Sequence, residues 1–214
     1  MSRSVTQTWR RVWFGLSVVF LCVALSWTAA AQPVYLVDTG PGGSSSGLSL
    51  TRNQYLAGQF SVELGAEIDA LEGWIIFPTI SGDLPVDAVL YGDADGVPDT
   101  SDEIYSQLFL VPGGIPIAPD WYGVDTPDLA LNAGTYWLAF EVPTEDFGSG
   151  AMPPTPAQEL DLYAVASGGG AWVANETANL GIRVLPEPAA GSMLLAGAAS
   201  LLVLQRWRGT RRRS

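Results

Sequence analysis

The 214-residue chain contains no histidine and no lysine, and its one cysteine is Cys22. A Ser-His-Asp triad, a Cys-His pair, a Schiff base and a histidine-ligated zinc site each need one of these side chains. Carboxylate chemistry and metals held by oxygen ligands are left. A two-carboxylate glycosidase is compatible with the composition, but so many acids place some pair at a suitable separation by chance. We therefore predict no catalytic residue and a protein that is not an enzyme.

Positive charge is also scarce in the middle of the chain. Residues 32–185 hold 21 Asp and Glu, but only two arginines, Arg52 and Arg183. Nucleic-acid backbones are bound by clustered Lys and Arg, so nucleic acid is excluded as a partner. A strongly acidic surface keeps a protein soluble through self-repulsion.

The N-terminus has the organisation of a secretory signal peptide. A basic segment precedes an apolar run from Val12 to Trp27, and small residues follow before Gln32. This pattern predicts export and removal of residues 1–31 by signal peptidase, and Cys22 is lost with them. The exported chain then has no cysteine and no disulfide. The basic residues are Arg3, Arg10 and Arg11, and the predicted cleavage residues are Ala29, Ala31 and Gln32.

The C-terminus carries a tripeptide, an apolar segment and a basic tail. Pro186, Glu187 and Pro188 precede residues 189–204, which contain no charged side chain. As a helix this segment measures about 24 Å, slightly less than a hydrocarbon core of about 30 Å. The prolines keep the tripeptide extended, and the basic tail favours an N-out, C-in orientation. We predict a single transmembrane helix at 189–204 and a basic tail at 205–214, which includes Arg211, Arg212 and Arg213.

This combination resembles the PEP-CTERM sorting signal of Gram-negative bacteria, which a membrane-embedded exosortase recognises. The resemblance implies an exported precursor that is anchored in the inner membrane, processed near Pro186-Glu187-Pro188, and delivered to the cell surface or extracellular matrix. It also implies an association with exopolysaccharide or biofilm. The alternative is a plain tail-anchored envelope protein that no enzyme cuts.

The resemblance assigns residues 184–214 to the sorting signal. Residues 32–183, between the two ends, have the pattern of an all-β ectodomain. Apolar and polar residues alternate from Gln59 to Leu64 and from Thr135 to Val142, and Gly and Pro separate the candidate strands. Eight or nine short strands predict an antiparallel β-sandwich of jelly-roll type. Residues 147–156 are rich in proline, glycine and serine, and we expect a long exposed loop there.

An acidic stretch is a candidate metal site. Asp93, Asp95, Asp99 and Glu103 surround a Gly-enabled bend, and oxygen ligands of this kind suit calcium. The spacing differs from that of an EF-hand loop, because Gly96 comes two positions early. The alternative is a solvated hairpin turn and no cofactor.

Tryptophans form the second candidate site. Exposed tryptophans on a β-sandwich could stack on sugar rings, which makes a carbohydrate-binding module an alternative function and polysaccharide a candidate partner. On its strand, the face of Trp137 is a better candidate for exposure than the face of Tyr136, Leu138 and Phe140, because Ala139 and Glu141 share it. Ordinary core packing is the favoured interpretation of these tryptophans. The four candidates are Trp74, Trp121, Trp137 and Trp172.

Overall fold

The computed structural model describes residues 35–44, 47–78, 82–113, 118–143, 150–154, 160, 162–168, 170–176 and 180–187. The predicted signal-cleavage residues Ala29, Ala31 and Gln32, the predicted transmembrane segment 189–204, Pro188 and the arginines Arg211, Arg212 and Arg213 lie outside these ranges. Within the ranges, no helix is long and apolar enough to cross a membrane.

The described part of the chain is all-β. Its strands are β1 (Val37–Asp38), β2 (Leu48–Leu50), β3 (Gln54–Val62), β4 (Ala66–Ile75), β5 (Asp83–Ala94), β6 (Val97–Pro112), β7 (Asp120–Leu131), β8 (Gly134–Glu141), β9 (Gly150–Met152), β10 (Tyr163–Ser167), β11 (Trp172–Asn175) and β12 (Ile182–Pro186).

All strand pairs are antiparallel. A four-stranded sheet has the order β1-β12-β4-β7, and a six-stranded sheet has the order β11-β10-β3-β8-β5-β6. A short ribbon of β2 and β9 is joined to β4 by the backbone hydrogen bonds between Ile76 and Ala151.

The main core lies between the two larger sheets. Leu71 and Val184 from the four-stranded sheet and Leu56 and Phe140 from the six-stranded sheet are buried in one apolar cluster. The sheets approach closely at Gly73, where an added Cβ would lie 2.6 Å from Cζ of Phe140. The alternation of apolar and polar residues places one face of each strand in this core, at roughly 1.5–3 kcal/mol per buried large side chain.

A second apolar cluster covers the opposite, outward-facing surface of the six-stranded sheet; we call it the outer cluster. The rings of Tyr91 on β5 and Trp172 on β11 lie 6.4 Å apart, although three strands separate β5 from β11. Cα atoms of β6 and β11, at opposite ends of the sheet order, come within 8 Å of each other. The sheet is therefore strongly curled. The buried members of the outer cluster are Ala57, Val89, Tyr91, Trp137, Ala139, Ala164, Ala166 and Trp172.

The structure confirms the all-β, antiparallel prediction and adds elements that the sequence pattern did not reveal. β2, β9 and β11 have three or four residues each, too few for alternation to be recognised. The expectation of an exposed loop at 147–156 is wrong for its described part, because β9 lies there and Met152 is fully buried. Pairing of β9 with β2 places this residue in the main core.

Candidate functional site

The acidic stretch forms the tip of the hairpin between β5 and β6. Ala94 pairs with Val97, so the turn consists of Asp95 and Gly96 alone. Their φ angles are 55° and 85°. Two consecutive residues with positive φ are what a type I′ turn requires, and Asp-Gly is a favoured pair for it. The predicted metal loop is therefore folded as a tight hairpin.

Asp93 is occupied by hydrogen bonds within the protein. Its Oδ1 accepts from Nε1 of the buried Trp137 at 2.7 Å and from Nε2 of Gln59 at 3.1 Å. Its Oδ2 accepts from the backbone N–H of Gly96 at 3.2 Å. This carboxylate satisfies an indole N–H that has no access to water, and it joins the turn to the neighbouring strands.

The other predicted calcium ligands are separated by the hairpin's irregular register. Asp99 lies opposite Gly92 and Glu103 lies opposite Tyr91. The Asp99 carboxylate accepts from the backbone N–H and the hydroxyl of Ser101, and these hydrogen bonds lower its pKa. Within the described ranges no three acidic side chains are grouped closely enough to hold a metal ion. The four predicted ligands are therefore not gathered around one point.

The four tryptophans divide into two pairs. Trp137 is fully buried and Trp172 is 9% exposed, both in the outer cluster. Core packing, the favoured interpretation, holds for both residues. The expectation that Trp137 belongs to the exposed face of its strand is wrong. It does lie on the outward face of β8, as the alternation predicted, but the curl of the sheet covers that face. Neither residue offers a free ring to a sugar.

Trp74 and Trp121 lie together on the outward face of the four-stranded sheet. They are direct partners across β4 and β7, and their rings meet edge to face with centroids 5.3 Å apart. Both are half-buried. Nε1 of Trp74 donates to the carbonyl oxygen of Gly43 at 3.3 Å, which anchors that indole to the segment before β2.

Arg183 joins this pair to the neighbouring strands. Its Cζ lies 3.8 Å from the ring centroid of Trp121 and 5.4 Å from that of Tyr35. Its Nε donates to Asp38 Oδ1 at 3.1 Å, and a terminal nitrogen lies 3.9 Å from Glu72 Oε2. Cation–π contacts of this kind contribute about 0.5–2 kcal/mol. We call these residues the Arg183 cluster: Tyr35, Asp38, Glu72, Trp74, Trp121 and Arg183.

The electrostatic surroundings of the Arg183 cluster are negative. Burial raises the pKa of Glu72, the positive charge of Arg183 opposes this shift, and Asp38, Asp120 and Asp125 raise the pKa further. The positive charge of Arg183 is therefore shared among several carboxylates. The cluster combines half-exposed aromatic rings with hydrogen-bond acceptors, which are the groups that contact the C–H faces and hydroxyls of a neutral sugar.

A second group of acids, not foreseen from the sequence, borders the outer cluster. The hydroxyl of Tyr91 donates to Glu141 Oε1 at 2.9 Å. Burial raises the pKa of Glu141, the hydrogen bond from Tyr91 lowers it, and the negative charges of Asp87 and Glu103 raise it. Burial and Glu103 also raise the pKa of Asp87. The available signal was the position of Glu141 two residues after Ala139, on the outward face of β8.

The first two residues of the predicted sorting motif belong to the sandwich. β12 ends at Pro186, which pairs with Ile68 on β4, and the N–H of Glu187 donates to the Glu67 carbonyl at 2.9 Å. The Glu187 side chain is exposed. A side-chain hydrogen bond with Glu67 and the negative charges of Glu67, Asp69 and Asp128 raise the pKa of Glu187. No linker separates β12 from the motif.

Comparison with known proteins adds no assignment, because no protein-family model, no curated protein and no solved structure matches the chain.

Two substitutions at Asp95 distinguish the effect of the turn backbone on stability from an effect of bound calcium. We expect Asp95→Ala to lower the free energy of unfolding by about 1–2 kcal/mol, because the short polar side chain of aspartate helps it to tolerate positive φ and alanine lacks this compensation. Asp95→Gly also removes the carboxylate but tolerates this φ, so its melting temperature should exceed that of Asp95→Ala. Thermal melts with and without millimolar calcium should give the same ranking. A calcium-dependent stabilisation of the wild type that is lost in Asp95→Gly would instead establish a metal site.

The half-buried position of Glu141 predicts a pH-dependent loss of stability. Its pKa is raised on folding, so the folded state holds the proton more tightly and stability falls as pH rises from the ordinary value of 4.5 through the folded-state pKa. Glu141→Gln keeps an acceptor for Tyr91 and removes this loss. We expect a higher melting temperature than wild type at pH 7–8, with the difference vanishing below about pH 4.

The matched control for that measurement is Glu63→Gln, which removes an exposed glutamate from the turn between β3 and β4. An equal gain in melting temperature in both variants would mean that lower net charge, not the site of Glu141, is responsible.

Proposed function

We propose that the chain is an exported, non-enzymatic protein of the bacterial cell surface or extracellular matrix, processed by an exosortase. The proposal combines the signal-peptide pattern, the PEP-CTERM-like tail and a composition without histidine or lysine. Its partners are signal peptidase, exosortase and the inner membrane that holds the precursor. Association with exopolysaccharide or biofilm is part of the same proposal.

The observation that carries this proposal is the position of the motif at the end of the last strand. β12 pairs with β4 as far as Pro186, and Glu187 is exposed immediately after it. An ectodomain whose last described strand ends at the first residue of the tripeptide can be cut free after Pro186 without losing any described strand. This arrangement supports processing at the tripeptide rather than within the sandwich.

We also propose that the ectodomain is a jelly roll, a double Greek key of eight strands. Eight of the strands, β1, β3, β4, β5, β6, β7, β8 and β12, can be numbered 1 to 8 in chain order. The four-stranded sheet then reads 1-8-3-6, and the β3-β8-β5-β6 part of the six-stranded sheet reads 2-7-4-5. This order supports the proposal. β10 and β11 extend the second sheet, and β2 and β9 form the side ribbon.

A second function, binding of a neutral polysaccharide, is favoured by the Arg183 cluster. Trp74 and Trp121 are adjacent and half-exposed, with carboxylates beside them. A neutral sugar fits this surface better than an acidic one, because Asp38 and Glu72 already compensate the charge of Arg183. Trp137 and Trp172 have no part in this proposal, because both are buried.

Intact mass of the protein tests the sorting proposal. In a host that contains an exosortase, we expect the extracellular fraction to yield a product that ends near Pro186 to Pro188. Glu187→Ala should abolish this product, whereas the control Glu67→Gln, which removes the carboxylate neighbour of Glu187 but leaves the motif intact, should retain it. A mature product that still carries Arg211 to Arg213 would identify a plain tail-anchored envelope protein.

Affinity electrophoresis in gels that contain neutral or acidic polysaccharides tests the second function. We expect retardation by a neutral polysaccharide that weakens at least about tenfold in Trp74→Ala and Trp121→Ala, equivalent to about 1.4 kcal/mol. The control Val173→Ala, an exposed residue on β11 in the other sheet, should bind as wild type does. Equal retardation of all variants, or of none including the wild type, would contradict binding at the Arg183 cluster.

A further inference from the structure

The outer edge of β6 is a long strand edge without a partner strand. β6 runs from Val97 to Pro112 and ends the order of the six-stranded sheet. It pairs with β5 on one side, and no described strand pairs with its other side. Backbone N–H and C=O groups along such an edge can accept another strand, and acidic or basic residues commonly prevent this.

The second half of β6 also exposes apolar side chains. Leu108 is 50% exposed and Leu110 is 55% exposed. Leu108 pairs with Asp87 and Leu110 with Pro85, so both leucines lie on the same outward face. Only two other large hydrophobic residues of the described ranges are comparably exposed, Leu64 and Val173. Two of the four most exposed large hydrophobic residues of the described ranges therefore lie on this one strand.

The same segment is free of charge in a domain that is otherwise strongly acidic. No Asp, Glu or Arg occurs from Ile104 to Pro119, the longest uncharged run in residues 32–185, which hold 21 acids. Two copies of so acidic a domain repel each other over most of their surface. Their edges at Ile104–Val111 can approach without placing carboxylates against one another. The charge pattern thus favours a second copy of this chain as the occupant.

Contacts with residues of both sheets hold β6 in position. The Tyr105 hydroxyl donates to the Asp125 carbonyl on β7 at 3.2 Å, and Phe109 packs edge to face on the buried Phe140 with ring centroids 6.3 Å apart. These contacts order the strand before a partner arrives, which lowers the entropic cost of association.

We propose that two copies of the chain associate through antiparallel pairing of their β6 edges, around a twofold axis at Leu108. Antiparallel pairing about an axis perpendicular to the sheet keeps the outward faces on one side. Leu108 of one copy then lies opposite Leu108 of the other, and Ser106 of each copy lies opposite Leu110 of the other. Glu103 of one copy falls opposite Gly113 of the other, away from the acids of the partner. The two six-stranded sheets become continuous, and the exposed leucines cover each other.

Cysteine cross-linking in the full chain tests this register. In a Cys22→Ser background, Leu108→Cys should form a dimer with a short bifunctional thiol reagent. Co-expressed Ser106→Cys and Leu110→Cys chains should cross-link to each other. The controls Leu64→Cys and Val173→Cys lie at equally or more exposed positions and should remain monomeric. Leu108→Glu, combined with Ser106→Cys and Leu110→Cys, should abolish the heterodimer because it places two carboxylates face to face.

Four outcomes would overturn the proposal, provided that melting curves show each variant to be folded. Absence of a Leu108→Cys dimer would show that the two copies do not meet at Leu108. Equal cross-linking of Leu64→Cys would indicate random collision. Cross-linking of Val173→Cys to Leu108→Cys would indicate head-to-tail pairing of the β11 and β6 edges, and a cross-linked product of another mass would identify a different protein as the occupant.

Discussion

The hydrogen bond between the Trp137 indole and the Asp93 carboxylate is the contact on which the outward face of the six-stranded sheet depends. Trp137 is fully buried at the centre of that face, and its N–H has to be satisfied without water. Asp93 supplies the acceptor and also receives Gln59 and the N–H of Gly96. One carboxylate thereby connects the hairpin tip to β3 and β8, and the covered surface becomes a second core.

This hydrogen bond uses one residue from each of the two candidate sites predicted from the sequence. The residue that would have been the first calcium ligand is already a hydrogen-bond acceptor, and the tryptophan that would have been the sugar platform is part of the protein interior. The two half-exposed tryptophans, Trp74 and Trp121, are on the other sheet. There Arg183, one of two arginines in residues 32–185, stacks on Trp121 and pairs with Asp38. A single cation organises the aromatic and acidic groups of that face.

The acidic composition has consequences at three places. At Glu141 and Asp87, burial and the neighbouring carboxylates both raise the pKa, so both oppose ionisation of these two side chains. At the end of β12 the acidic composition surrounds Glu187 with Glu67, Asp69 and Asp128. At the edge of β6 the acids are absent from Ile104 to Val111, and this absence supports the proposed pairing of two copies. The distribution of charge, more than its total, therefore underlies the proposed contact.

Strand alternation was a reliable guide to the fold, because one face of each long strand enters the core. It predicted β3 and β8 and assigned Trp137 to the correct strand face. It failed for β2, β9 and β11, whose few residues carry no periodic signal, and it could not reveal that the outward face of β8 is covered. The spacing of the acidic residues located the hairpin at Asp93. It could not show whether the four carboxylates meet around one point, because the positions of these side chains follow from the register between β5 and β6.

The sequence by itself determined an acidic, all-β domain without the side chains of most catalytic mechanisms, because composition and local periodicity are properties of the chain alone. Only the tertiary structure decided which tryptophans are buried, which carboxylates share a site, and which strand edge stays free. Those properties depend on contacts between residues far apart in sequence: Trp137 with Asp93, Arg183 with Trp121, and Tyr91 with Trp172. The first follows from the register between β5 and β8 and the last from the curl of the six-stranded sheet, and no local pattern encodes either.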